Sequence, residues 1–442
     1  MKSTVAFHTL GCKLNYSETS TIGQQFTQNG YDIVQFNDGA NVYVINTCTV
    51  TDNADKECRQ IIRRALRKNP EAYIIVTGCY AQLKPDDIAH IEGVDAVLGS
   101  NEKFKIFGLL ENFTKQKLSC IHVTPTEEMD EVFSASSSEQ DDRTRAFLKI
   151  QDGCDYKCSF CTIPLARGKS RSLDVESVLN NFKQLIDNGY KEIILTGVNV
   201  GDYGKAIGSD FYSLLKAIIE IPGDFRVRIS SIEPNLLTDE VISLTANSEK
   251  LCKHFHIPLQ SGSSKILKLM QRRYNTDDYK KVVEKAHSKI DDLGIGIDVI
   301  VGFPGETEED FLDTYNFLKE LPFSYLHVFT YSERANTKAI SMEGSVDIVE
   351  RKRRNNMLRV LSEKKRNLFY HSMVGKELSV LFEKEGKDDE IKGFASNYIR
   401  VKTGYNPDLI NTFTNVTISE VDDSHCVTDS NVCNSQMKSS VE

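Results

Sequence analysis

Residues 146–161 read AFLKIQDGCDYKCSFC. A short apolar, β-rich run, Ala146–Ile150, leads into a loop that sets Cys154, Cys158 and Cys161 in a C-x3-C-x2-C spacing. Three thiolates crowded together in this way share one metal centre but offer no fourth ligand. Structural zinc wants four closed ligands, and no histidine lies nearby to complete the set. A [4Fe–4S] cluster held by three cysteines keeps one iron open to a chelating small molecule, which suits this loop better. Phe160, between the second and third cysteines, would shield such a cluster.

The run at Ala146–Ile150 opens an alternation. Further strands are expected at Glu192–Thr196, Arg226–Ser230, His254–Leu259, Ile297–Val301 and Tyr325–Tyr331, with helical patterns between them at Asp174–Asn188, Phe211–Ile221, Thr276–Ile290 and Glu308–Leu321. Six successive βα units predict a barrel or an incomplete barrel, whose chemistry sits at the C-terminal ends of its strands. There the sequence offers Thr196-Gly197-Val198-Asn199, Ser230-Ser231-Ile232-Glu233 and Val301-Gly302-Phe303-Pro304-Gly305. Sharing an edge with Cys154, these look like a site for a nucleoside and an amino acid. Arg167 and Arg228 can pair bidentately with a carboxylate, and each serves equally well as a structural ion pair. His256, on an apolar strand, reads as a core or wall residue.

Upstream, strand candidates Val5–Leu10, Asn41–Asn46, Ala72–Thr77 and Val94–Leu98 alternate with helical stretches Ser17–Asn29 and Asp52–Lys68, the pattern of a doubly wound parallel α/β sheet. Cys12, Cys48 and Cys79 obey no local spacing rule, yet each follows one of the first three strands: VAFHTLGC, VYVINTC and AYIIVTGC. In a parallel sheet these ends share one edge, where ligands bind, so the three cysteines should converge. The competing reading is of three ordinary buried thiols. Cys58, Cys120 and Cys252 take no role, nor do Cys426 and Cys433, which the sequence places in a frayed tail.

A chain of 442 residues is expected to form two or three domains. No apolar run is long enough for a membrane span, and the first residues lack the basic-then-apolar pattern of a signal peptide. The expected location is the cytoplasm, away from membranes, where disulfides are rare; eleven cysteines then favour metal ligation. Residues 123–142, acidic and Ser-rich, read as a linker. After a basic helix over about Asp347–Met373, the β-like runs Glu377–Glu383, Tyr398–Thr403 and Thr412–Ser419 fit a small OB-like barrel. A net charge of −9 argues against gripping nucleic acid. Two runs depart from it: residues 56–68 carry six basic residues to one acid, and 351–366 carry eight to one. Each is either a contact for nucleic acid or a solvated helix face.

Over essentially its whole length the chain resembles the radical methylthiotransferases. The motifs that carry the likeness are TLGC (Cys12), NTC (Cys48), TGC (Cys79) and GCDYKCSFC (Cys154, Cys158, Cys161). The resemblance implies a methylthiotransferase domain at 1–122, a linker at 123–142, a radical S-adenosylmethionine (SAM) partial (β/α)6 barrel at 143–371 and an all-β, OB-like TRAM domain at 372–436. It implies two [4Fe–4S] clusters, one on each cysteine triad, with SAM at the second and Gly197, Glu233 and Gly302 toward the SAM pocket, where Arg167 is also a candidate. The implied reaction consumes two SAM and methylthiolates C2 of N6-threonylcarbamoyladenosine 3′ of the anticodon. The implied partners are the tRNA anticodon loop and an electron donor such as flavodoxin or ferredoxin. TLGCKLNYSET and CTIPLARGKSRS are most similar to that tRNA type, whereas the isopentenyl-adenosine type usually has Gln and Met where this chain has Lys13 and Leu14. The type acting on a ribosomal-protein aspartate differs more. A non-enzymatic rival, an iron–sulfur redox sensor on RNA, would not cleave SAM. Residues 375–442 hold seven Lys/Arg against twelve Asp/Glu, which shifts any grip on tRNA toward the two basic helices.

Overall fold

The computed structural model describes residues 3–48, 52–110, 112–115, 118–137, 144–383, 390–422 and 424–428, with backbone alone at 52–55. Val42–Thr47 and Tyr73–Gly78 are buried at every position. Unbroken apolar runs of this kind mark strands covered on both faces. They sit at the centre of a six-stranded parallel sheet in the order Asp32–Ile33, Thr4–Thr9, Val42–Thr47, Tyr73–Gly78, Ala96–Leu98, Cys120–His122. The helix Lys13–Gln28 buries Ile22 and Phe26 on one face with Val42, Val44 and Ile75. On the other, Asp52–Lys68 packs Cys58, Ile61, Ile62 and Ala65 against Tyr43, Ile45 and Ile74. The doubly wound arrangement expected from the alternation is present. Its first helix begins at Lys13, ahead of the expected Ser17, because Cys12 is an N-cap without a side-chain hydrogen bond and so gives no capping signal.

Six parallel strands follow: Arg145–Lys149, Glu192–Thr196, Arg226–Ile229, His254–His256, Gly294–Val301 and Tyr325–Thr330. The first three and the last three form hydrogen-bonded sets, joined by the parallel bridges Val227↔Leu251 and Ser231↔His256. Their outer faces and the helices between them make one large apolar core. The C-terminal body is a closed five-stranded barrel in the order Glu377–Glu383, Glu390–Ala395, Arg400–Gly404, Cys426–Thr428, Phe413–Val421. This is the OB-like architecture the short β runs indicated.

The structure corrects three expectations outright. Cys426 is no tail residue: it is fully buried in the strand Cys426–Thr428 that closes the barrel, while Cys433 lies outside the described residues. The described part of 123–142 is tied down along its length. Met129 is buried, Thr126 Oγ1 donates to Leu165 O at 2.7 Å, and Ala135–Ser136 pairs with Arg145–Lys149. Short hydroxyl side chains that read as linker composition here supply the hydrogen bonds of a strap. The basic helix Ile348–His371 is partly internal: Arg351 and Arg354 are buried, the first on Tyr331 O and the second on Glu306, and Arg353 pairs with Glu308 and Glu350. Among the described residues no helix is long and apolar enough to cross a membrane.

Candidate functional site

Three strands of the N-terminal sheet, Thr4–Thr9, Val42–Thr47 and Tyr73–Gly78, each lead to a cysteine, and at two of them a glycine turns the chain. Gly11 has φ +98° and Gly78 has φ +96°, in the left-handed region that side chains resist. Close packing excludes a side chain too. A Cβ on Gly11 would lie 2.8 Å from Cys48 Sγ, and one on Gly78 would lie 2.3 Å from Thr47 O. Cys48 is thereby pressed against the turn that delivers Cys12, and Cys12 is near enough to Cys79 for their charges to interact. Asn15 clips the strand ends: its Nδ2 donates to Leu10 O at 2.8 Å and Thr47 O at 3.0 Å, and its Oδ1 faces Cys12 Sγ at 3.9 Å. Burial pushes the Cys12 thiol above its ordinary pKa, even though Cys12 itself remains accessible.

The second triad sits in the loop after Arg145–Lys149. Each sulfur accepts one hydrogen bond: Cys154 from Tyr156 N at 3.4 Å, Cys161 from Ile163 N at 3.4 Å, and Cys158 from Arg272 Nη1 at 3.1 Å. Burial pushes the Cys154 thiol up to about 11 and the Cys161 thiol up to about 12, and raises Cys158 as well. A thiol ligates a metal only by giving up its proton, so metal binding at this site would release protons. All six cysteines are free of disulfides, as iron ligation requires. Phe160 packs edge-on to Phe303 and shelters this side of the loop.

The strand ends around this triad hold the donors a polar ligand would use. Thr196 Oγ1, Asn199 Nδ2 and Ser230 Oγ are buried with no hydrogen-bond partner among the described residues. Buried polar atoms left in that state mark a place for a ligand. Gly197 opens this edge: a Cβ there would lie 2.7 Å from Gln151 Oε1, which already accepts from Asn199 N. Glu233 pairs with Arg272, the residue that touches Cys158. Arg272 gave no signal in the sequence, since an Arg272-Arg273 pair far beyond the cysteine loop looks like any surface charge.

Three of the sequence-derived candidates have other work. Arg167 is buried and fully engaged: it binds Glu18 at 2.9 Å, Asp152 at 3.0 Å and Asn15 Oδ1 at 2.7 Å, leaving no guanidinium edge for the carboxylate of SAM. Gly302 is glycine because its Cβ would strike Arg351 Cγ at 2.3 Å, so packing of the basic helix explains it. Arg228 likewise is taken up by Glu192. His256 is a wall residue with a partner, its Nε2 lying 2.8 Å from Asp298 Oδ1.

Arg167 belongs to a buried ion network that joins the two triads. Glu18, from the N-terminal domain, meets Lys103 Nζ at 2.6 Å, Lys149 Nζ at 3.1 Å and Arg167. Asp152 meets Lys149 at 2.6 Å and Arg167 at 3.0 Å. Although burial alone would raise the Glu18 carboxyl, Arg167, Lys103 and Lys149 hold it well below the usual carboxylate range. Three cations against two carboxylates leave a positive surplus, and Arg167 lies near both Cys12 and Cys79. The short helix that follows Cys161, Ile163–Arg167, also packs on the one that begins at Cys79, Cys79–Leu83. The two cysteine sets therefore lie on either side of one interdomain contact.

With that geometry in place, comparison with known proteins defines the class. A model of the radical SAM superfamily matches residues 148–318, and one described as uncharacterized protein family UPF0004 matches residues 4–99. The fold is similar to that of the radical S-adenosylmethionine methyltransferase TsrM from Kitasatospora setae, with a TM-score of 0.57 and 13% identity over 87% of this chain and 79% of that one. This is a radical SAM enzyme. The chain is 43% identical to the threonylcarbamoyladenosine tRNA methylthiotransferase MtaB of Bacillus subtilis, covering 94% of each chain, and 41% identical to the MtaB of Aquifex aeolicus over 90% of this chain and 96% of that one. It is 35% identical to the tRNA-2-methylthio-N(6)-dimethylallyladenosine synthase of Fusobacterium nucleatum, over 93% and 96%. The chain belongs to the radical SAM methylthiotransferase family, and its cofactors are SAM and [4Fe–4S] clusters.

Proposed function

We propose that this enzyme methylthiolates C2 of N6-threonylcarbamoyladenosine 3′ of the anticodon in tRNA, consuming two SAM per turnover. The observation that carries this reading is the meeting of two cysteine triads at one interdomain contact, in a chain that aligns over 94% and 90% of its length with two threonylcarbamoyladenosine tRNA methylthiotransferases. Cys12, Cys48 and Cys79 would hold one cluster and Cys154, Cys158 and Cys161 the other. Bound there, the two clusters and SAM supply the radical and sulfur chemistry that an unactivated aromatic C–H bond demands.

The protein's own part is positioning and exclusion. Arg272 and the amides of Tyr156 and Ile163 hold the sulfurs of the second triad. The unpartnered Thr196 Oγ1, Asn199 Nδ2 and Ser230 Oγ supply hydrogen bonds to the polar groups of SAM, beside Gly197 and Glu233. A loop nucleotide, already unstacked, can be splayed between the triads. Reduction would come from a small cytoplasmic electron carrier of the flavodoxin or ferredoxin kind. On this reading the domains run over 1–122, 143–371 and 372–436.

Reconstituted protein with SAM and reductant should convert an anticodon stem-loop bearing threonylcarbamoyladenosine to its 2-methylthio form, read by nucleoside mass spectrometry. Conversion only of a stem-loop bearing isopentenyl-adenosine would move the assignment to the other tRNA type, and conversion of neither would remove it.

Binding of the tRNA body follows the same logic. Arg59, Arg63 and Arg67 are exposed at i+4 spacing on Asp52–Lys68 and form one face, whereas Arg64 lies over the Phe36 ring at 4.4 Å and is not part of it. Changing the three exposed arginines to glutamine should lower the slope of log K against log salt by roughly 0.7–0.9 for each phosphate that is no longer neutralised. An unchanged affinity and slope would make this face merely solvated.

A further inference from the structure

The inner wall of the partial barrel is matched on one half and open on the other. On the first three strands the inward side chains below Thr196 and Ser230 already have partners: Phe147 packs edge-on to Tyr16 at 5.6 Å, Lys149 meets Asp152 at 2.6 Å, and Glu192 holds Arg226 and Arg228. On the last three, Phe255, Val299 and Leu326 belong to the outer apolar core, so the alternation of a strand turns His256, Asp298, Ile300, His327 and Phe329 inward. The foot of this half is sealed. Tyr325 stacks on the His254 ring, and Tyr398 of the C-terminal barrel packs 4.8 Å from the same ring. Above that seal, His256 Nε2 lies 2.8 Å from Asp298 Oδ1, and the His327 imidazole lies 5.4 Å from that of His256. Phe329 comes next along the same face, paired in register with Ile300 as His327 is with Asp298. His327 is exposed, and Phe329 is 45% exposed although it faces the barrel interior.

This open strip borders the site of the second triad at both ends. Ile300, the partner of Phe329, packs with Phe160 on the group of Phe303 and Met270, and Phe160 stands between Cys158 and Cys161. His256 is bridged to Ser231, which follows the unpartnered Ser230. An exposed aromatic ring in line with two imidazoles and a carboxylate has the composition of a nucleobase site: a flat apolar face for stacking, with donors and acceptors for the edge of the base. A phosphate is disfavoured beside the Asp298 carboxylate. A divalent cation would be met by His256, Asp298 and His327, whose ligand atoms lie within 4.8 Å of one another, but the neighbouring ring offers it nothing.

We infer that Phe329 is the platform on which the target base of the anticodon loop stacks, with His327 and the His256–Asp298 pair meeting the polar edge of that base. This deepens the function proposed above and rests on a loop nucleotide being splayed into the site. The ring is carried on a strand and held from behind by the apolar core, so it presents its face without first having to be ordered.

The test is a binding measurement on the full-length reconstituted protein with SAM present and no reductant, so that no chemistry follows. Two anticodon stem-loop RNAs are compared, one carrying threonylcarbamoyladenosine 3′ of the anticodon and one abasic at that position. The natural protein should bind the first about 5- to 100-fold more tightly. Phe329→Ala and Phe329→Leu should each close most of that gap by weakening only the first RNA, and Phe329→Tyr should keep it. A merely structural role for the ring would weaken both RNAs alike and overturns the platform. His327→Ala should narrow the gap by about 2- to 10-fold. A gap undiminished in Phe329→Ala or in His327→Ala overturns the subsite, as does zinc that the natural protein retains through dialysis and His327→Ala does not. A natural protein that converts the modified stem-loop yet binds both RNAs equally overturns the platform alone. One that shows the gap but converts neither modified stem-loop keeps the platform and removes the substrate reading.

Discussion

With Cys154, Cys158 and Cys161 all changed to alanine, anaerobically reconstituted protein is expected to retain about four irons per chain, against about eight in the natural sequence. Reductive cleavage of SAM should be lost altogether. The three thiols stand on one loop, each accepts a hydrogen bond, and burial raises all three above the ordinary thiol range. The other triad has supports of its own: Cys12, Cys48 and Cys79 are set by Gly11, Gly78 and Asn15 in the N-terminal domain. The remaining iron should therefore keep the absorbance of an intact cluster. A triple variant that still binds about eight irons would show that the ligands lie elsewhere.

The cysteines could be read from the sequence because their positions are tied to a repeating unit. A parallel sheet returns every strand end to one edge, so TLGC, NTC and TGC announce their meeting although they lie far apart in the chain. The glycines of two of these motifs carried a further signal, since φ values of +98° at Gly11 and +96° at Gly78 are what turn the chain into the following cysteines. The ion network had no such periodicity. Glu18 and Arg167 are 149 residues apart, and Lys103, Lys149 and Asp152 come from different elements, so a sequence reveals only that each charge needs some partner. This is why Arg167, close to the cysteine loop, looked suited to a cofactor carboxylate and turned out to be paired with protein carboxylates. In the C-terminal barrel the strand Glu390–Ala395 went unread. Gly393 interrupts its alternation, and it is glycine because a Cβ would lie 2.4 Å from Leu381 O.

Glu18→Gln should produce the largest loss of stability of any single substitution in the interdomain contact. The side chain is completely buried and meets Lys103, Lys149 and Arg167, so the amide keeps the shape but removes the charge that three cations share. Asp152 would then be the only carboxylate left in the network. Breaking a buried pair in this way costs about 3–5 kcal/mol, because the cations stay buried without compensation. For a domain of this size that corresponds to a fall on the order of 10 °C in the transition of the N-terminal sheet, measured by scanning calorimetry of the whole chain. Since the folded carboxyl lies below its ordinary pKa, the stabilisation is complete above the unfolded value of about 4.3 and fades only as pH falls through the folded one. The effect of Glu18→Gln should accordingly be full at neutral pH and shrink in strong acid. A second substitution separates charge from packing. Lys103 is fully buried and its amine reaches Glu18 at 2.6 Å, so Lys103→Met in the Glu18→Gln background removes one uncompensated cation. The double variant should regain part of the lost stability, a non-additivity expected only of groups that interact directly. A Glu18→Gln transition within about a degree of the natural one would mean that the network contributes nothing net to holding the two domains together.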